Sequence, residues 1–116
     1  MSDTKQTVDT TKFHLNIANI NREFRAIAIA NNWQAYHNPK NLAAAVSVEA
    51  GELLAEFQWL TAEESCSLSA AQKSQVADEI ADIIMYLTEL SLRLDVDMVD
   101  AVNAKIEKNK QRFKML

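Results

Sequence analysis

The chain has 116 residues with one glycine, one proline and one cysteine, and its 12 Lys and Arg against 16 Asp and Glu leave a net charge of −4. Hairpins, Rossmann turns and phosphate-cradling loops consume glycine for positive φ and close backbone approach, so these architectures are excluded and an all-α chain is expected. The acidic balance argues against coating a nucleic-acid polymer, and a lone Cys66 can form neither an intrachain disulfide nor a thiolate zinc site.

Residues 1–10 are polar and read as a flexible arm, followed by a single helical domain over 11–116. No signal-peptide stretch opens the sequence, and its longest aliphatic runs, 26–30 and 42–46, are far shorter than the roughly 18 residues that span a bilayer. The expected setting is the cytoplasm, with no membrane partner. Phe13, Ile17, Ile20, Phe24 and Ile27 recur at steps of four and three, which predicts an amphipathic helix from Thr10 or Thr11 to about Asn31. The asparagine-rich segment 31–41 holds Pro39 and reads as a loop with a short helical turn. A second helix starts at Pro39 to Asn41 and carries Leu42, Val46, Leu53, Phe57 and Leu60 on one face. Residues 61–69 form a linker in which Thr61 and Ser69 can each cap a following helix. The third helix runs from about Ser69 to Leu94 with Val76, Ile80, Ile83, Leu87 and Leu94 on one face. Asp97 then caps a fourth helix lined by Val99, Val102, Ile106 and Phe113. Four helices with short connections predict an antiparallel four-helix bundle.

The carboxylates are informative by placement. Glu49, Glu52 and Glu56 fall within about 60° of one another on the second helix, at the border of its apolar stripe and not opposite it. Glu79 and Asp82 repeat that arrangement on the third helix. Two Glu-x-x-acid pairs at the core margin converge if the helices pack antiparallel, and four such anions repel one another unless a cation neutralises them. Oxygen ligands without thiolate or paired histidine point to Mg²⁺ or Mn²⁺ acting with substrate phosphates. Either pair alone is an ordinary solvated motif; it is the pair of pairs that suggests a site. Gly51, the sole glycine, lies between Glu49 and Glu52 in mid-helix, where it costs about 1 kcal/mol relative to alanine; close packing or access is the expected reason. On the fourth helix Lys105, Asn109 and Arg112 share one arc beside the apolar stripe, a cationic and amide edge suited to phosphate oxygens. Neither His14 nor Cys66 is assigned a role.

The segments Trp33-Gln-Ala-Tyr-His37-Asn-Pro39-Lys-Asn41, Glu49-Ala-Gly51-Glu52, Glu56-Phe57-Gln58-Trp59, Asp78-Glu79-Ile-Ala-Asp82 and Lys105-Ile-Glu-Lys-Asn109-Lys-Gln-Arg112-Phe113 together resemble the MazG-like all-α nucleoside triphosphate pyrophosphohydrolases, most closely the small dCTP-pyrophosphatase type. The resemblance implies Mg²⁺-dependent hydrolysis of a (deoxy)nucleoside triphosphate to monophosphate and pyrophosphate, in nucleotide-pool house-cleaning. It implies metal ligation and catalysis by Glu49, Glu52, Glu79 and Asp82, with Glu56 a candidate outer ligand, and phosphate binding by Lys105, Asn109 and Arg112. The candidates for the base are Trp33, His37, Asn41 and Trp59. Relatives assemble as dimers or dimers of dimers, so a homodimer or homotetramer is implied. The alternative is a non-catalytic helical interaction module with an acidic face. A di-iron bundle is excluded, because neither histidine follows a glutamate at the Glu-x-x-His spacing.

Overall fold

The computed structural model describes residues 14–113, and each α-helix in that span begins behind a residue whose side chain accepts from a first-turn amide. Helix α1 spans Ile17–Ala30 behind Asn16, whose side chain accepts from Asn19 N at 2.9 Å. The helix therefore starts later than the threonines suggest: residues 14–16 are not helical, and Thr10, Thr11, Phe13 and the expected arm lie outside the described residues. A 3-10 turn, Gln34–Tyr36, leads to α2, Pro39–Ala55. Asn38 caps α2 and Pro39 occupies its first turn, where a missing N–H costs nothing. The expected continuation to Leu60 breaks at Glu56, and residues 56–59 form turns.

The expected linker contains a one-turn helix, α3, Ala62–Ser65, closed by a reciprocal capping box between Thr61 and Glu64. Helix α4, Ala70–Arg93, repeats that device with Ser69 and Gln72, and Asp97 caps α5, Met98–Arg112. Among the described residues there is no strand, so the all-α expectation holds.

A chain with one glycine must end its helices without it. Asn32 and Asp95 take the left-handed conformation after α1 and α4, at φ 59° and 56°. Each is followed by a hydrophobic residue whose amide reaches back five residues: Trp33 N to Ala28 O and Val96 N to Ser91 O, both 2.8 Å. These are Schellman closures, in which short polar side chains tolerate the conformation that glycine usually occupies.

Helix α4 is the centre of the packing. It lies against α2 along much of its length and against α1. Among the described residues Phe24, Ala28 and Leu42 are the buried apolar ones, with Asn21, Thr88 and Glu89 also buried. The buried face of α1 runs through Asn21, Phe24 and Ala28, leaving Ile27 at the surface. Helix α5 packs along none of the other helices. Its stripe of Val99, Val102, Ile106 and Phe113 is exposed, Phe113 by 61%. The radius of gyration, 17.1 Å, exceeds the about 13 Å of a compact domain of this size. Within one copy, then, the expected four-helix bundle is three packed helices with α5 standing apart.

Candidate active site

Glu49 lies in the second half of α2 and Glu79 and Asp82 near the middle of α4, positions that meet when two sequential helices pack antiparallel. One carboxylate oxygen from each comes within 4.8 Å of the others. All three residues are half-buried, and Glu79 Oε1 is buried with no hydrogen-bond partner. Burial, a hydrogen bond shared with Glu79 and the charges of Glu52, Asp82 and Glu79 push Glu49 up to about 7. An anion cluster in this state is under-compensated, since each charge destabilises its neighbours and one oxygen lacks the donor that buried polar atoms ordinarily have.

Glu52 lies outside the converging trio and is exposed, although its charge acts on Glu49. Glu56 is half-buried as the C-terminal cap residue of α2 and is likewise outside the trio. Gly51 carries no tight crossing: a Cβ built there meets nothing within 4 Å. The close packing expected of it does not occur within one copy, because α2 turns that position outward.

Beside the acidic trio is an aromatic cluster. Phe24 and His37 stack with centroids 5.6 Å apart and planes 4° from parallel. Tyr86 meets Phe24 edge-on at 5.3 Å and His37 at 6.3 Å, and Trp33 tilts against His37 at 6.5 Å. Burial and the charges of Glu49, Asp82 and Glu52 raise the Tyr86 phenol, which keeps it a hydrogen-bond donor beside the carboxylates. Sequence reasoning passed over Tyr86 as a site residue, yet it lies four residues after Asp82 on the same helical face, a spacing that could have found it.

The remaining candidates are more dispersed. Asn41 donates its side-chain amide to Tyr36 O at 2.9 Å, tying α2 to the 3-10 turn. Trp59 is 86% exposed. Lys105, Asn109 and Arg112 ride on α5, apart from the acidic trio; the Arg112 guanidinium lies over the Phe113 ring at 5.2 Å.

The α4 face carrying Glu79, Asp82 and Tyr86 continues to Glu89 and Arg93. Glu89 is fully buried and accepts from Asn21 Nδ2 at 2.6 Å, from Arg25 Nε at 2.8 Å and from Arg93 Nε. Burial pushes its carboxyl up, but the hydrogen bonds from Arg25, Arg93 and Asn21 prevail and hold it at about 2. Nothing local in the sequence marks this network, because its partners on α1 lie 68 and 64 residues away.

Three carboxylate oxygens converge at a helical seam beside a cluster of aromatic rings in an all-helical protein, an all-oxygen donor set of the kind that suits a hard cation. The MazG-like family model matches residues 44–115, a span that holds the whole trio. Over 99 residues the chain is 33% identical to dCTP pyrophosphatase 1 of Bos taurus and 32% to that of Homo sapiens, covering 84% of this chain and 59% and 58% of those proteins. It thus spans about three-fifths of the length of these curated relatives. A pyrophosphatase crystal structure from Archaeoglobus fulgidus superposes with a TM-score of 0.77 at 33% identity, covering 87% of this chain and 94% of that one. The chain belongs to the MazG-like family.

Proposed function

We propose that this protein is a metal-dependent nucleoside triphosphate pyrophosphohydrolase acting in nucleotide-pool house-cleaning, with dCTP and modified deoxynucleotides among its substrates. The observation that carries this reading is the under-compensated trio of Glu49, Glu79 and Asp82 with its orphaned Glu79 oxygen. Its similarity to dCTP pyrophosphatases supports the same chemistry.

The donor set fits a hard cation: all ligands are carboxylate oxygens, and the crowded charge favours a divalent ion over protons. Glu49, Glu79 and Asp82, with Glu52 alongside, would hold Mg²⁺ or Mn²⁺, and Glu56 would support them from outside. Bound there, the ion supplies neutralisation of phosphate oxygens and of charge developing on the leaving pyrophosphate. A carboxylate of the centre takes the proton of the attacking water, whose oxygen bonds to the α-phosphorus. The bond from that phosphorus to the bridging oxygen breaks, and its electron pair leaves with pyrophosphate. The protonated Tyr86 phenol donates toward the triphosphate. His37 and Trp33 offer ring faces to the base, where stacking is worth about 1–3 kcal/mol.

The exposed stripe of α5 favours a homodimer or dimer of dimers in which α5 is covered by a second copy. In that arrangement Lys105, Asn109 and Arg112 would grip the phosphates at a partner's carboxylates. Trp59, 86% exposed, would reach the base across such a contact, whereas Asn41 anchors the 3-10 turn beside His37 within its own chain. Among the described residues no helix is long and apolar enough to cross a membrane, and the free, exposed Cys66 suits a reducing cytoplasm.

Incubation with each dNTP and Mg²⁺, with products resolved by ion exchange, tests the reading. Monophosphate and pyrophosphate in equal amounts are expected. No turnover of any common or modified nucleotide, together with no Mg²⁺ binding, would overturn it and favour a non-catalytic module with an acidic face.

A further inference from the structure

We propose that the cavity between α1, the 3-10 turn and the C-terminal end of α4 is a second ligand site, one that takes a phosphate carried on a flat ring, of the nucleoside monophosphate class. The cavity has a volume of about 460 Å³ and is lined by Arg25, Ala28, Ile29, Gln34, His37 and Arg93. Its polar end is built around the fully buried Glu89, which holds Arg25 and Arg93 through one nitrogen, Nε, of each guanidinium. Among the described residues the terminal nitrogens of both guanidiniums have no hydrogen-bond partner. Two cations on one carboxylate leave a surplus positive charge, and two guanidiniums already fixed in place present free N–H groups to an incoming anion. Phosphate oxygens match that fork geometry, and the ordering cost of the arginine side chains is already met by Glu89.

The rest of the lining sets the ligand class. Ala28 and Ile29 form an apolar wall, the His37 ring provides a flat face, and the Gln34 amide offers both donor and acceptor. A bare phosphate would leave most of this space unfilled, whereas a base and sugar would occupy it. The anion-binding end is separate from the acidic centre, since Arg93 lies eleven residues beyond Asp82 on one helix, about 16 Å along its axis, and His37 is the one residue this lining shares with the proposed base site. It does not depend on the hydrolase reading, since a ligand could bind here whatever the carboxylates do.

Calorimetric titration in EDTA isolates the pocket, because the metal-free carboxylates repel phosphate. The probes are dAMP, inorganic phosphate and deoxyadenosine. We expect dAMP to bind at one site per chain, and phosphate and deoxyadenosine each more weakly. Arg93→Gln should weaken dAMP binding about tenfold, while Asp82→Asn leaves it unchanged. Absence of dAMP binding at millimolar ligand, binding that survives Arg93→Gln, or binding that is lost with Asp82→Asn would each overturn the proposal. Should Arg93→Gln fail to give a cooperative thermal transition, Arg93→Lys decides. It keeps the charge but loses the fork, so about threefold weakening supports the site and unchanged affinity overturns it.

Discussion

Glu49, Glu79 and Asp82 share one physical situation: three half-buried carboxylates converge, and burial with the charges of its neighbours pushes Glu49 up to about 7. Replacing Asp82 with Asn removes a repelling charge and a hard ligand at once. Turnover with Mg²⁺ should fall at least about a hundredfold, a ΔΔG‡ near 2.7 kcal/mol, while the thermal midpoint of the metal-free protein stays level or rises. Steady-state kinetics and calorimetry on the same preparation check both halves. Gly51 offers a cleaner contrast. A methyl group there meets open space, so Gly51→Ala should stabilise the metal-free protein by about 1 kcal/mol in urea unfolding through helix propensity and reduced unfolded-state freedom. At this scale the acidic motif was legible, because carboxylates bordering an apolar stripe are conspicuous whatever they touch. Glu89 was not, since Asn21 and Arg25 reach it from another helix.

Most helix boundaries were readable from local chemistry. Asn38 before Pro39, Ser69 before an alanine-rich run and Asp97 before Met98 each place an acceptor where free amides begin, and the helices start there. Helix α1 departs from its expected start because Asn16, closer to the apolar periodicity than either threonine, provides the cap. Periodicity could not say what covers a stripe, because it has the same form whether the partner is this chain or another copy. On α5 that difference becomes testable. Ile106→Asp places a charge in an exposed apolar face that no other helix packs along. We expect the variant to remain helical by circular dichroism, to shift to a lower mass in analytical ultracentrifugation and to lose nucleotide turnover. An unchanged mass would contradict the covered-helix arrangement.

For the molecule as a whole, two consequences follow from how distant segments meet. The Glu89 network joins α1 to α4, and its carboxyl is lower when folded than when unfolded. A depressed acid contributes stability that is complete above its unfolded value near 4.5 and is lost as pH falls toward 2. With the arginines part-exposed, the contribution is on the order of 2 kcal/mol. Urea midpoints should therefore drop between pH 5 and pH 2, and Glu89→Gln should flatten that drop while lowering stability at pH 7. The second consequence concerns sites shared between copies. If α5 serves a partner's carboxylates, Asp82→Asn and Lys105→Ala chains, each inactive alone, should regain part of the turnover when co-expressed. No recovery in mixed oligomers would mean that each copy's site is self-contained.

The sequence by itself determined the helical class, most of the caps and the acidic motif, because these depend on residues within a turn or two of one another. Scarce glycine excluded sheets and glycine-rich cradles, and its usual place at helix ends passed to Asn32 and Asp95. Only the tertiary structure decided which carboxylates converge, which ring faces Tyr86, what neutralises Glu89 and that α5 is left uncovered. Those are contacts between segments far apart in the chain, and their energies depend on burial and approach that no local pattern encodes.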